Sequence, residues 1–309
     1  MNTILVTGAS GFIGGHLVRT LTRQGLDVIG TFHKTECGDR NGLQYVDLRK
    51  PSEVDALFRK HNFSTIYHLA ASGVSGDAES FEDLIETNTL APAGLARTAL
   101  RYGVERFIYV GTAFEYRPQS RSIDESTPLG APNMYGASKA AGWLMLDAPC
   151  RLEGLPLITF RPFSAYGPGE NPAKLIPYVM LQALRRSPIR LSLAGQVRDY
   201  VFIEDLVEAL RLGLTIPAAA GQVYNIGSGP EEAVSVRSLA EQILLMMDAS
   251  PKLCWFDSAN RSRREPPYLV CDPTRAHMEL GWRPRTRLEE GLRRTLDWYK
   301  AQSVMEISA

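Results

Sequence analysis

A chain of 309 residues, 44% of them hydrophobic, is long enough for one large or two modest domains with real cores. Its 34 lysines and arginines balance 34 aspartates and glutamates, so no net field draws it to nucleic acid or to an anionic membrane. Cys37, Cys150, Cys254 and Cys271 are scattered without close pairs, which suits neither a zinc site nor a disulfide framework and predicts reduced thiols. No apolar run approaches the ~20 residues of a spanning helix, and no basic leader precedes the strand-like sequence at Thr3, so a cytoplasmic protein is expected.

Strands are predicted at 3–7 (TILVT), 27–31 (DVIGT), 43–47 (LQYVD), 65–69 (TIYHL), 106–110 (RFIYV) and 157–160 (LITF). Helical patterns lie between them at 12–24, 51–61, 78–102 and 134–153. This alternation argues an α/β fold with a parallel sheet and helices on both faces. Beyond Pro162 the rhythm loosens, glycine and proline cluster at 166–172, and helical patterns follow at 174–186, 204–215, 236–248 and 288–300. The expected organisation is a first domain over 1–162 with a late return to its sheet at 203–226, interleaved with a smaller domain over 163–309.

The first strand breaks into glycines at Gly8, Gly11 and Gly14, followed by an apolar helix opened by Phe12 and Ile13. Such a turn lets backbone approach a pyrophosphate whose charge the helix N-terminus attracts. Three glycines here are also compatible with plain turn chemistry. At 134–142, MYGASKAAG places Tyr135 and Lys139 four apart, on one face of a helix. An ammonium beside a phenol, aided by an oxidised nicotinamide, stabilises the phenolate and lowers its pKa from ~10, so that it can exchange a proton with a substrate oxygen. The same spacing also arises by chance between two solvated side chains.

Taken together, TGASGFIG (7–14), HLAA (68–71), Asn88, GTAFEY (111–116), YGASK (135–139), RPFSAYGPG (161–169) and GQVRDYVFIEDL (195–206) resemble the extended short-chain dehydrogenase/reductase family, and more narrowly its nucleotide-sugar-modifying members. The resemblance runs from Thr3 to about Trp298 with the motifs in family order. It implies a Rossmann-type, doubly wound domain for NAD(P) and a smaller C-terminal domain for a nucleoside-diphosphate sugar. Residue by residue, Tyr135 becomes the general acid/base, Lys139 the partner that tunes it and binds the nicotinamide ribose, and Thr112 the hydroxyl that donates to the substrate oxygen. Glu115 either faces the sugar or is a solvated loop acid.

For the cofactor, Gly8, Gly11, Phe12, Ile13 and Gly14 match the pyrophosphate turn, and Asp47 and Leu48 the adenine-binding pair. Leu69, Ala70 and Ala71 pass beneath the nicotinamide-side ribose. Asn88 belongs to the active-site helix, and Pro162 and Phe163 flank the nicotinamide. His68 is read as a packed strand residue. Nineteen residues past Gly14 stands His33, where an acid would hold the ribose hydroxyls of NAD, and Lys34 follows. This basic pair suits the 2′-phosphate of NADP, while Glu36 keeps NAD open.

For the substrate, Arg198 matches the arginine that grips the diphosphate, and Lys174 sits at a nucleotide-phosphate position. Ser164 replaces the usual asparagine of RxxN, which puts that contact in doubt. A late arginine aligns imperfectly near Ser262, and Arg263 is chosen for it. The main expectation is therefore an NADPH-dependent reductase of a 4-keto nucleotide sugar, with an epimerase that retains NAD as the alternative. A non-catalytic sensor of NADP is disfavoured by the presence of Thr112, Tyr135 and Lys139. A 4,6-dehydratase is disfavoured because that group carries Asp–Glu after its threonine, where this chain has Ala113 and Phe114. The long helices 78–102 and 134–153 suggest a homodimer through a four-helix contact. No metal is expected.

Overall fold

The computed structural model describes residues 3–33, 42–74, 80–192, 194–217, 220–257 and 265–307. The alternating first half resolves into β1 (Thr3–Thr7), α1 (Phe12–Arg23), β2 (Val28–Phe32), β3 (Gln44–Tyr45), α2 (Pro51–Lys60), β4 (Phe63–His68), α3 (Phe81–Ile85), α4 (Ala91–Arg101), β5 (Arg106–Val110), α5 (Met134–Glu153) and β6 (Leu157–Pro162). The second half adds β7 (Ser164–Tyr166), α6 (Leu175–Leu184), β8 (Ile189–Leu191), β9 (Val197–Arg198), β10 (Tyr200–Phe202) and α7 (Ile203–Thr215). After these come β11 (Val223–Ile226), β12 (Val234–Ser235), α8 (Val236–Met246), β13 (Cys254–Phe256), β14 (Tyr268–Leu269), α9 (Thr274–Leu280) and α10 (Leu288–Ile307). Among the described residues, no helix is long and apolar enough to cross a membrane.

Seven strands form one parallel sheet in the order β11-β6-β5-β4-β1-β2-β3. This is the doubly wound Rossmann-type arrangement, and the chain returns to it at β11. The sheet is covered on both faces, and its strands divide their side chains between two cores with a period of two. Ile4, Val6, Ile108, Val110, Ile158 and Phe160 face one core with Leu17 and Leu21 of α1 and Leu206 and Leu210 of α7. Leu5, Ile66, Phe107, Tyr109 and Leu157 face the other, with Val54 and Leu57 of α2, Leu95 of α4 and Leu146 of α5. Each such aliphatic side chain removed from water contributes ~1.5–3 kcal/mol.

The smaller half is built from short strands, β7 with β10, β9 between β12 and β14, and β8 with β13. Asp199, between β9 and β10, ties it to the sheet. Its fully buried carboxylate accepts from the backbone N–H groups of Ser228 at 2.7 Å, Gly229 at 3.0 Å and Cys271 at 3.1 Å.

One helical pattern is divided and another is kept whole, each for a local reason. The pattern over 78–102 is interrupted between α3 and α4 by one π-helical turn, Glu86–Leu90. Helix α5 runs through Pro149, and both its ends are fixed. Asn133 caps it by accepting from the Gly136 N–H at 2.8 Å, and Gly154 closes it in the left-handed conformation.

Helix α5 lies against the π turn so closely that a Cβ on Gly142 would stand 1.9 Å from the carbonyl oxygen of Asn88. Gly94 in α4, in contrast, faces open space. The same substitution should therefore act with opposite signs in two neighbouring helices. Gly142→Ala is expected to destabilise by about 1–3 kcal/mol through forced separation of α5 from the turn. Gly94→Ala should stabilise by about 0.5–1 kcal/mol through reduced backbone freedom of the unfolded chain. Denaturant unfolding of both variants checks this; equal shifts would contradict the packing described.

Candidate active site

The carboxyl ends of β1, β4, β5 and β6 bring the predicted residues to one rim of the sheet. At β1 the chain turns sharply at Gly8, whose φ of +68° and position 2.7 Å (for a built Cβ) from the Ala70 amide both demand glycine. Gly14 likewise packs α1 onto the turn, since its Cβ would fall 2.2 Å from the Gly8 carbonyl oxygen. No side chain caps the first turn of α1, which begins at Phe12 and Ile13 after Gly11. A closely approached backbone and an uncapped helix N-terminus fit a dinucleotide pyrophosphate. Leu69, Ala70 and Ala71 follow β4 beside this turn, and the Ala70 N–H donates to Thr7 Oγ1 at 3.3 Å.

At the end of β5, Thr112 caps a 3-10 turn, Ala113–Glu115, its Oγ1 accepting from the Phe114 N–H at 3.3 Å. Helix α5 packs onto this turn at Gly136, where a Cβ would stand 2.1 Å from the Phe114 carbonyl oxygen. That contact carries Tyr135 towards Thr112, whose hydroxyl favours the ionised phenol. One turn on, Lys139 is fully buried. Its Nζ donates to the Val110 carbonyl at 2.9 Å and stands 4.3 Å above the Tyr109 ring.

Burial pushes the Tyr135 phenol above its usual range, and the Glu115 charge adds to this, while the Thr112 hydroxyl opposes both. Burial pushes Lys139 down to about 8, with Glu115 opposing. Thr112 and Tyr135 are thus brought together with Lys139 one helical turn on, the lysine just inside the charged range at neutral pH; the Tyr135 phenol stands above its usual range, where the sequence led us to expect a lowered one.

The remaining residues divide. Asn88 lies in the π turn and is fully engaged by protein: its Oδ1 accepts from the Ser72 N–H at 2.8 Å, and its Nδ2 donates to Ser72 O at 3.0 Å and Ser138 Oγ at 2.9 Å. It braces α5 against the loop after β4, a role in the architecture and not a direct cofactor contact. π turns of this kind often mark functional positions. His68 is a packed strand residue: its Nδ1 shares a hydrogen bond of 2.9 Å with Thr7 Oγ1, and burial holds it down to about 3.

Glu115 does not face the sugar site. Its carboxylate is fully buried and accepts from Arg161 Nε at 2.7 Å. Asp47 is buried too and is gripped through both oxygens by Arg49, at 2.9 and 3.0 Å. Arg49 also lies 3.1 Å from the His33 ring, whose Nε2 is 3.5 Å from Asp47. Leu48 packs on the second core. Pro162 ends β6, and Phe163 is buried with Ala113, Tyr116 and Cys271. Ser164 opens β7 beside Tyr200.

Arg198 is buried and already committed. Its Nη1 donates to the Val197 carbonyl at 2.9 Å and its Nη2 to Glu265 at 3.0 Å. Lys174 stands at the N-terminus of α6 and donates to the carbonyl of Val74, in the loop after β4. Lys34 and Arg263 lie outside the described residues. The sequence reading passed over Arg161 and Arg49. For Arg161 a signal existed, a charge inside the apolar strand LITFRP; for Arg49, two residues from Asp47 in a loop, none did.

A model of the NAD dependent epimerase/dehydratase family matches residues 4–227. The dTDP-glucose 4,6-dehydratase of Neisseria meningitidis serogroup B is 31% identical over 97% of this chain and 93% of its own. MoeE5, solved in complex with UDP-glucose and NAD, is 29% identical with a TM-score of 0.88, over 98% of this chain and 100% of that one. The UDP-glucose 4-epimerase of Thermus thermophilus, solved with NAD, is 27% identical with a TM-score of 0.84, over 96% and 99%. These relatives correct the expectation of an NADPH-consuming 4-ketoreductase. The relatives from Neisseria, Haemophilus and Xanthomonas are named dehydratases and the Thermus structure an epimerase, and the reductase reading is abandoned.

Proposed function

Since the chain belongs to the NAD dependent epimerase/dehydratase family, we propose that it inverts a carbinol centre, most simply C4, of a nucleoside-diphosphate hexose with NAD retained between half-reactions. The observation that carries this reading is the pairing of a complete Thr112–Tyr135–Lys139 site with Ala113 and Phe114 directly after the threonine. Eliminating water across C5 and C6 of a hexose needs an acid for the departing hydroxyl and a base for the C5 proton. Ala113 and Phe114 supply neither, and the next residue, Glu115, is sealed against Arg161.

NAD held on the Gly8–Gly14 turn would accept a hydride from the sugar and return it. The chain's own residues manage the proton. Tyr135 Oη takes it from the sugar hydroxyl, and the Lys139 ammonium stabilises the phenolate that prepares this step. Thr112 Oγ1, beside Tyr135, steadies charge developing on the sugar oxygen. Tyr135 then returns the proton after the ketone has presented its other face. NAD is preferred to NADP because MoeE5 and the Thermus epimerase, similar along the whole chain, are solved with NAD. Arg198 and Lys174 are assigned to the diphosphate, Arg198 exchanging its Glu265 partner for phosphate oxygens.

Protein as purified should release NAD on denaturation and convert UDP-glucose, UDP-glucuronic acid or dTDP-glucose to its C4 epimer without added cofactor, followed by proton NMR. Tyr135→Phe should keep the bound NAD and lose roughly 10²–10⁴-fold in turnover. A 4-keto-6-deoxy product from the wild-type protein, or near-normal turnover by Tyr135→Phe, would contradict the reading.

We further infer a homodimer. Leu90 just before α4, with Leu144, Met145 and Leu152 on α5, are 53–81% exposed, an apolar surface that a second copy would cover by two-fold symmetry. Light scattering should give twice the 34.2 kDa chain mass; a monomer at micromolar concentration would sink this inference.

A further inference from the structure

Arg49 joins segments of the chain that meet nowhere else in the cofactor half. It stands in the loop between β3 and α2, and Glu53 on the first turn of α2 holds that loop. Glu53 Oε2 accepts from the Asp47 N–H at 2.8 Å, and its Oε1 from Lys50 Nζ at 3.0 Å. The Arg49 N–H donates back to Asp47 Oδ1 at 3.1 Å, a local turn that gives the side chain a fixed base. Its Nε and Nη2 take the two oxygens of Asp47, at 2.9 and 3.0 Å, and Nη2 lies 3.1 Å from the His33 ring just past β2.

The remaining nitrogen reaches the opposite side. Arg49 Nη1 donates to Asp83 Oδ1 at 3.3 Å, on the first turn of α3, and stands 3.9 Å from Glu86 Oε2 on the π turn. Asp83 is seated by Ser80, whose Oγ accepts from the Asp83 N–H at 3.0 Å. Between the two sides lies a cavity of about 510 Å³, a size that small-ligand sites share. Asp47, Leu48 and Pro51 line one wall, Glu86, Leu90 and Ala91 the other, and Arg49 is paired with both. The two attachments differ in kind. The Asp47 side chain is 5% exposed and gripped through both oxygens, whereas Asp83 and Glu86 are 46% and 52% exposed and form surface pairs that break easily.

We propose that Arg49 is a strap across the adenosine end of the cofactor crevice, fixed at Asp47 and released from Asp83 and Glu86 when NAD enters or leaves. A cofactor that must return its hydride to the sugar it came from has to outstay the ketone intermediate, and a strap lengthens its residence without entering the chemistry. Among the described residues Asp47 Oδ2 accepts one hydrogen bond, from Arg49, which leaves it an acceptor site for an adenine amine. The idea rests on the NAD reading given above, with adenine toward Asp47 and Leu48, but its test needs no substrate.

Charge sets the sign of that test. NAD carries a pyrophosphate, so neutralising two acids near it should, by electrostatics alone, slow its release. A strap predicts the opposite, because Asp83 and Glu86 are its far anchors.

The full chain, loaded with radiolabelled NAD, is diluted into excess unlabelled NAD and the retained label followed in time. The double variant Asp83→Asn, Glu86→Gln should release NAD roughly 3–10-fold faster than wild type, the effect of losing two exposed charge pairs. Arg49→Met should release it at least as fast; should that variant not fold, the double variant, altered only at exposed positions, carries the test. Radiolabelled ADP-ribose, which lacks the nicotinamide, should be released faster by a similar factor. Release from the double variant at or below the wild-type rate overturns the proposal. So does faster release of NAD with that of ADP-ribose unchanged. Because no turnover is read, a wild-type release rate in the double variant leaves the epimerase assignment standing, and a protein that holds NAD as expected but epimerises nothing does the reverse.

Discussion

A lysine shut away from water is the constraint around which this cluster is organised. Removing an ammonium from solvent favours its neutral form, and the protein opposes that with two devices of different kinds. One is a lone-pair donor, the Val110 carbonyl at the very end of β5. The other is the face of Tyr109, whose cation–π attraction is worth about 0.5–2 kcal/mol depending on desolvation. Both depend on where α5 sits. Its seat is fixed by two side-chain-free contacts, Gly136 on the Phe114 carbonyl and Gly142 on the Asn88 carbonyl, and by the Asn88 amide bridging Ser72 and Ser138.

The fold supplies the rest of the geometry. In the sheet order, strand succession reverses between β1 and β4, and ligands of open parallel sheets gather outside the carboxyl ends of strands at such a point. The glycine turn after β1 and the small residues after β4 line that crevice, while β5 and α5 bring Thr112, Tyr135 and Lys139 to its edge. Asp199 then holds the second half of the chain against the same rim by taking three backbone amides into one buried carboxylate. The glycine turn, the Thr112–Tyr135–Lys139 cluster and the second half of the chain are thereby referred to one sheet.

Much of this was legible from sequence because it is local or periodic. β1, β5 and α5 occupy the residues that their patterns mark, and the glycine turn and the Tyr135–Lys139 spacing are short-range signals. What escaped is non-local or without a periodic trace. The π turn within 78–102 changes helical phase without changing composition. β3 shortens to Gln44–Tyr45, the chain leaving the ladder before Asp47, which Arg49 takes up. Glu115 reads as a loop acid because its partner lies 46 residues away on β6, and nothing near it in sequence announces a buried cation. The reductase expectation leaned on His33 and Lys34. That pair bears on cofactor phosphate, and not on whether the hydride returns to the sugar it left.

Fate of that hydride is the most direct measure of the account. A nucleotide hexose carrying deuterium at C4, UDP-glucose for example, should yield the C4 epimer with the deuterium still at C4 and no solvent hydrogen incorporated. That outcome requires a cofactor reduced and reoxidised without leaving the site, with Tyr135 handling only the exchangeable proton. Deuterium appearing at C6 of a dehydrated product, or lost to a free nicotinamide pool, would contradict the central claim.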